Sequence, residues 1–266
     1  MIDLCGQRVL EFGFRRDPII RELVDFSSDQ VRLRSAVAGE FILKSIVDPN
    51  ITVQTLVSLA TSAASAARVS RYYYSILKSL ARYSNLQNLL PEHDRGRATM
   101  RYYESIKGFT QYKTNPLFWL QYATAALVIE EFDRAEKYFD TAYSFGKDWE
   151  HFDSYQIDNQ YARFLLLRAI RTVDPSTCMT AFRKARSLIY TQMEKERLHY
   201  PYRVAAIIGE FYDTFAPLLK PQHKDEIKRA AKYICERIEK LPQERQTQRY
   251  VVDCWEKLQG VLASTA

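Results

Sequence analysis

The sequence has few of the residues that mark several protein classes. Glycine occurs 8 times and cysteine 4 times in 266 residues, and no two cysteines form a CxxC pair. So little glycine argues against a disordered or glycine-looped chain. The cysteines and histidines are isolated, so they lack the ligand spacing of a zinc site. We therefore expect buried, free thiols in a reducing compartment.

Long apolar runs are also missing. No segment approaches the length that spans a membrane, and the first residues include Asp3, Arg8 and Glu11, which argues against a signal peptide. We expect a cytoplasmic protein with no membrane partner. The opening residues contain neither a helix cap nor a glycine-rich loop, so they look like the continuation of a longer chain. Nothing in the sequence indicates an oligomeric state.

The common catalytic motifs are absent as well. The chain contains no GxxxxGK[ST] phosphate loop, no GxGxxG after a strand, no GxSxG elbow and no HExxH pair. Acidic pairs such as Asp225-Glu226 and Glu130-Glu131 fit solvated helix faces. We expect a protein that is not an enzyme and that needs no cofactor or metal ion.

What the sequence does contain is helical periodicity, in blocks of about 15–25 residues divided by Asp-Pro, Asn-Pro or glycine. No block alternates like a strand, so an all-α fold is predicted. The predicted helices include one from Pro18 to about Phe26, one that begins at Ser28, one after Pro49, and one from Arg71 to Leu90. A loop follows over residues 91–97. Further helices are predicted to begin at Pro116 and Pro175, and the last two at about 223–240 and 243–262.

The most regular stretch runs from Asn115 to Trp149. It has an aromatic residue, a small residue four positions later, and an Ala-x3-Phe-x2-Ala run in a second helix. These positions are Trp119, Ala123, Ala135, Phe139 and Ala142. The pattern resembles the tetratricopeptide (TPR) repeat family, which implies antiparallel helical hairpins stacked in a right-handed α-solenoid. Trp119, Ala135 and Phe139 are then structural residues.

This resemblance also divides the chain. Residues 1–114 are expected to form an N-terminal helical segment continuous with the array, and residues 115–149 the best-matching repeat. Residues 150–266 are expected to add further hairpins and a capping helix. A wider likeness covers NPLFWLQYATAAL, FDRAEKYFDTAYSF, SYQIDNQYARFLL and HYPYRVA. These segments resemble the C-terminal helical region of bacterial STAND (NLR-like) ATPases, some of which act in anti-phage defence. That likeness implies a sensor region whose ATPase and effector parts lie elsewhere.

Two binding functions follow from these observations. The first is a protein–protein recognition scaffold whose concave face binds a protein or peptide. Its candidate residues are polar and aromatic positions on the first helices of hairpins. They are Gln121, Tyr122, Asp158, Asn159 and Arg163. A local salt bridge between Asp158 and Arg163 is an alternative explanation for two of them.

The second function is nucleic-acid binding by basic residues interleaved with tyrosines. The formal charge of +6 suits an acidic or nucleic-acid partner. The candidate residues are Arg71, Lys78, Arg82, Arg97 and Arg101. The competing interpretation is that the tyrosines between Arg71 and Arg82 pack inward and the basic residues only solvate the helix.

Overall fold

The structure, a computed structural model, describes residues 24–26, 31–33, 36–67, 70–195 and 200–264. Nearly all of these residues are helical, which confirms the all-α class. The chain divides between Phe145 and Gly146 into two compact units. Both units contain buried hydrophobic residues.

A short hairpin is the exception to the helical fold in the described part of the chain. Strand β1 (Val24–Phe26) pairs antiparallel with β2 (Val31–Leu33). The helix predicted through Phe26 and the helix predicted from Ser28 were therefore wrong over these residues; Pro18 and Ser28 lie outside the described residues. Each strand has a charged residue between two apolar ones, VDF and VRL. This alternation has a period of two, which favours a strand.

The helices of the first unit follow the hairpin. They are α1 (Ala36–Ser45), α2 (Pro49–Ala66), α3 (Arg71–Leu80), α4 (Tyr83–Leu89), α5 (Arg95–Ile106), α6 (Thr110–Lys113), α7 (Pro116–Val128) and α8 (Phe132–Lys147), whose last residues belong to the second unit. The loop predicted over residues 91–97 is shorter, because α5 already begins at Arg95.

Side-chain caps explain where two of these helices begin. An Asp48 carboxylate oxygen accepts from the Asn50 N–H at 2.7 Å, before α2. The Asn115 side-chain oxygen accepts from the Leu117 N–H at 2.9 Å, before α7. Proline occupies the next position in both cases, where the missing N–H costs nothing. Both predicted starts are confirmed.

The single helix predicted from residue 71 to residue 90 is wrong, because the backbone is extended at Arg82 and separates α3 from α4. Distant side chains satisfy the backbone groups at this break. The Tyr103 hydroxyl donates to the Ala81 carbonyl at 2.8 Å, and the Gln121 side-chain oxygen accepts from the Tyr83 N–H at 3.0 Å. Such partners offset the loss of helical hydrogen bonds, and local sequence does not reveal them.

Tyrosine rings fill much of the interior of the first unit. The Tyr112 ring stacks on Phe118 at 4.6 Å, and the Tyr122 ring on Tyr103 at 5.1 Å. The Tyr112 hydroxyl donates to the Leu77 carbonyl at 2.7 Å. Burial raises the pKa of the Tyr103 hydroxyl well above its usual value. These rings hold α3, α5, α6 and α7 together.

Helices α7 and α8 form the hairpin of the predicted repeat. The Tyr138 ring stacks on Tyr122 at 4.0 Å and lies 5.8 Å from the Trp119 ring. Ala123 and Ala135 are fully buried. Small side chains at these positions are compatible with close helix packing.

The second unit is also helical. Its helices are α9 (Tyr155–Thr172), α10 (Pro175–Glu194), α11 (Tyr200–Ala205), α12 (Ile207–Phe215), α13 (Pro221–Glu239), α14 (Gln243–Gln246) and α15 (Arg249–Ala263). The helix predicted over 243–262 is thus interrupted between α14 and α15. Helices α9 and α10 are antiparallel neighbours joined through Val173, which has a left-handed backbone with φ of 47°. Asp174 then caps α10, confirming the predicted start.

Aromatic residues and thiols occupy the core of the second unit. Phe182 stacks on Phe211 at 5.4 Å, and helices α12, α13 and α15 pack around these rings. Cys178, Cys235 and Cys254 are buried and free, as predicted. Cys5 lies outside the described residues.

Candidate functional site

Gln121 and Tyr122, proposed to bind a partner, contribute instead to the interior of the first unit. Tyr122 is 1% exposed, and its hydroxyl donates to the Glu104 carboxylate. Gln121 is half-buried and accepts the Tyr83 N–H at the α3–α4 break. Neither side chain is presented to a partner in this conformation.

The other three candidates lie on α9 in the second unit, where Asp158 is joined to α10 by a hydrogen bond. Asp158 is 7% exposed and accepts from Ser154 Oγ and Gln192 Nε2, each at 2.7 Å. Asn159 is buried, and its amide donates to the carbonyl one turn earlier at 2.7 Å. Arg163 is half-buried. The buried hydrogen bond between Gln192 and Asp158 therefore joins α9 to α10.

Helix α3 presents the nucleic-acid candidates Arg71 and Lys78 to solvent. Tyr72 is 62% exposed and Tyr74 is 51% exposed, so these two rings do not pack inward as the competing interpretation required. Only Leu77 of this helix is fully buried. Helix α3 therefore presents both charged side chains and aromatic rings to solvent.

Helical geometry explains how these side chains are arranged. At about 3.6 residues per turn, positions 71, 75 and 78 form one stripe along α3. Tyr74 lies on one side of this stripe and Tyr72 on the other, while Tyr73, Leu77 and Leu80 point away from it. Arg82 follows α3 and is also exposed. We name Arg71, Tyr72, Tyr74, Lys78 and Arg82 the α3 face.

The cations of the α3 face are not paired with any carboxylate in the described part of the chain. Among the residues that the structure describes, no carboxylate forms an ion pair with Arg71, Lys78 or Arg82. The sequence explains this, because no Asp or Glu occurs between Asp48 and Glu92. Helices α2, α3 and α4 all fall within this acid-free stretch. The local surface is therefore positive without internal compensation.

The other two nucleic-acid candidates belong to a different surface. Arg97 and Arg101 are exposed on α5, and Arg101 pairs with Asp94 at 2.7 Å. Tyr103 projects from the opposite side of α5 to reach the end of α3. Arg97 and Arg101 therefore project from the side of α5 opposite to Tyr103.

Sequence reasoning did not identify Tyr72 and Tyr74 as exposed, although two signals were present. Three consecutive tyrosines, Tyr72 to Tyr74, cannot all point to one side of a helix, because neighbouring positions differ by about 100°. The acid-free stretch was the second signal. Together they indicate an aromatic and basic surface.

Other features of the described residues suggest no chemistry. A shallow acidic depression runs along α8, lined by Asp133, Glu136, Lys137, Asp140, Thr141 and Ser144. No group of three or more His, Cys, Asp or Glu side chains is placed to hold a metal ion in the described ranges. Within the same ranges, no helix is long and apolar enough to cross a membrane.

Comparisons with known proteins give no match to a family model, to a curated protein or to a solved structure.

Proposed function

We propose that this chain is a non-catalytic recognition scaffold in which packed helices support the α3 face as a binding surface for an anionic macromolecule. The observation that carries the proposal is the solvent exposure of Arg71 and Lys78 on one stripe of α3. The exposed rings of Tyr72 and Tyr74 lie on the two sides of this stripe. Exposed aromatic and basic residues, held on a rigid helix, are characteristic of binding surfaces.

Helix packing supports the scaffold part of the proposal. Helical hairpins such as α7–α8 and α9–α10 are the building blocks of TPR-like arrays. We propose that the hairpins within each unit stack in this TPR-like manner. The likeness to STAND sensor regions leads to the further proposal that the chain serves a larger bacterial signalling or defence protein.

A capture experiment tests the binding function. The wild-type protein and the variant Arg71→Gln/Lys78→Gln are immobilised separately and incubated with bacterial lysate, with and without nuclease treatment. We expect the wild-type protein to retain macromolecules that the variant does not retain. The reason is that Arg71 and Lys78 provide the contacts with anionic groups of the ligand. Identical retention by both proteins would contradict the proposal.

A matched control separates a specific surface from general charge. Arg183→Gln/Arg186→Gln removes the same number of positive charges from α10, where both arginines bind Glu226. This variant should retain the same macromolecules as the wild type. Circular dichroism of all three proteins verifies that the helices remain folded.

A further inference from the structure

We infer that the ligand of the α3 face is single-stranded nucleic acid. This inference rests on the proposed function and names the partner class for the same surface. It depends on two properties that occur together on α3, namely unpaired cations in a row and exposed rings beside them.

The cations match a phosphate backbone. Arg71 and Lys78 lie two helical turns apart on one stripe, and Arg82 follows at the extended break after α3. All three are exposed, and none has an ion-pair partner among the described residues. A binding phosphate therefore displaces no protein carboxylate, and its contacts release counterions from the nucleic acid.

The tyrosines favour a single strand over other anionic ligands. Tyr72 and Tyr74 are more than half exposed on the two sides of the cationic stripe, where unpaired bases would stack on them while the backbone follows the stripe. Bases inside a duplex are already stacked and cannot do this. An acidic peptide offers charges for the cations but has few planar groups for the rings.

Two other surfaces of the described residues, on α10 and on α1, lack this combination. The cations of α10 are occupied, since Arg183 and Arg186 bind Glu226 and Lys184 donates to the Tyr161 hydroxyl at 2.9 Å. The exposed apolar residues Val37 and Phe41 of α1 have no feature beside them that specifies an occupant.

Fluorescence anisotropy with labelled oligothymidylate tests the inference on the full chain. We expect the Arg71→Gln/Lys78→Gln variant to bind at least about tenfold more weakly at low salt, since each lost phosphate contact removes a counterion-release contribution. The Arg183→Gln/Arg186→Gln variant should bind within about twofold of wild type, because its arginines are already paired. Equal weakening by both variants would overturn the assignment to α3.

The tyrosines require a separate comparison. Tyr72→Ala/Tyr74→Ala should weaken oligothymidylate binding by about fivefold or more, whereas Tyr72→Phe/Tyr74→Phe should bind like the wild type, because phenylalanine still stacks. Both rings are exposed, so neither change removes core packing. If the alanine variant bound like the wild type, base stacking on α3 would be disproved.

Two further probes distinguish failure of the inference from failure of the proposed function. A duplex of equal length should bind more weakly than oligothymidylate, and polyglutamate should not compete with it. Binding of polyglutamate or of a lysate protein, dependent on Arg71 and Lys78 but without oligothymidylate binding, would overturn the nucleic-acid inference and leave the scaffold function intact. If no probe or lysate component depended on these residues, both proposals would fail.

Discussion

Helix α10 in the second unit and helix α3 in the first unit both carry exposed basic residues, but their surroundings differ. On α10, Arg183 donates through two nitrogens to both carboxylate oxygens of Glu226 on α13, and Arg186 donates to Oε1 of the same carboxylate at 2.9 Å. On α3, Arg71 and Lys78 pair with no described carboxylate. Similar basic sequences therefore yield a structural ion cluster in one unit and an open surface in the other.

Charge alone consequently does not define a binding surface. The arginines of α10 connect two helices, because a carboxylate on the neighbouring α13 neutralises them. The basic residues Arg71 and Lys78 of α3 are exposed and pair with no described carboxylate. The distribution of acidic residues, rather than of basic ones, separates the two cases.

The largest expected effect concerns the support of the α3 face. Tyr103 is fully buried and donates to the carbonyl at the end of α3. Tyr103→Ala should lower the free energy of unfolding by about 3–5 kcal/mol, as for other large aromatic residues truncated in a core. Urea unfolding measures this change. Tyr103→Phe, which loses only the hydrogen bond, should cost about 1 kcal/mol; equal costs would mean that the ring does not support α3.

A smaller loss of stability is expected when a larger side chain overpacks the α7–α8 hairpin. Ala135 is fully buried where the two helices meet. Ala135→Leu should lower the free energy of unfolding by about 1–3 kcal/mol, because the added methyl groups have no space. The melting temperature should fall accordingly. An unchanged melt would mean that the helices do not meet at Ala135.

A still smaller effect on the free energy of unfolding is expected for the ion pairs between Glu226 and the arginines of α10. The hydrogen bond from Arg183 holds the pKa of the Glu226 carboxyl below its usual value. The contribution of the Glu226 carboxylate to stability is therefore complete above the unfolded-state pKa of this group. It is lost as the pH falls through the folded-state pKa. Glu226→Gln should cost about 1 kcal/mol or less at neutral pH.

Urea unfolding at neutral and at acidic pH tests this dependence. The difference in the free energy of unfolding between Glu226→Gln and wild type should disappear once Glu226 is protonated in the wild type. A difference that persisted unchanged at strongly acidic pH would show that the arginines do not bind the ionised carboxylate.

The smallest effect is expected on the far side of α5. Arg101→Gln removes one exposed ion pair with Asp94 and should change stability by about 0.5 kcal/mol or less. It should also leave oligothymidylate affinity within about twofold, because Arg101 projects from the side of α5 opposite to Tyr103. If Arg101→Gln lowered oligothymidylate affinity as much as Arg71→Gln/Lys78→Gln, α3 and α5 would have to contribute to one continuous binding surface.

The sequence predicted the features that are determined locally. Asp48 and Asn115 each precede a proline, and a capping carboxylate or amide with proline next to it is sufficient to begin a helix. Ala123 and Ala135, the small residues of the predicted repeat pattern, are fully buried. These predictions needed no knowledge of distant residues.

Features that depend on distant residues were not predictable in the same way. The break at Arg82 is stabilised by Tyr103 and Gln121, which are far away in sequence. The burial of Asp158 depends on Gln192 from the following helix. An amphipathic pattern does not specify which polar positions a neighbouring helix covers, so the first set of binding residues was drawn from positions that are mostly buried.

Adding one carboxylate to α3 provides the most direct test of the central claim. Ser75 is exposed, four residues after Arg71 and three before Lys78, so Ser75→Glu places an acid where it can pair with both, as Glu226 pairs with two arginines. We predict that Ser75→Glu lowers oligothymidylate affinity by about tenfold at low salt, while the neutral Ser75→Gln binds within about twofold of wild type. Equal affinity of the Glu and Gln variants would contradict the claim that unpaired cations make α3 a binding surface.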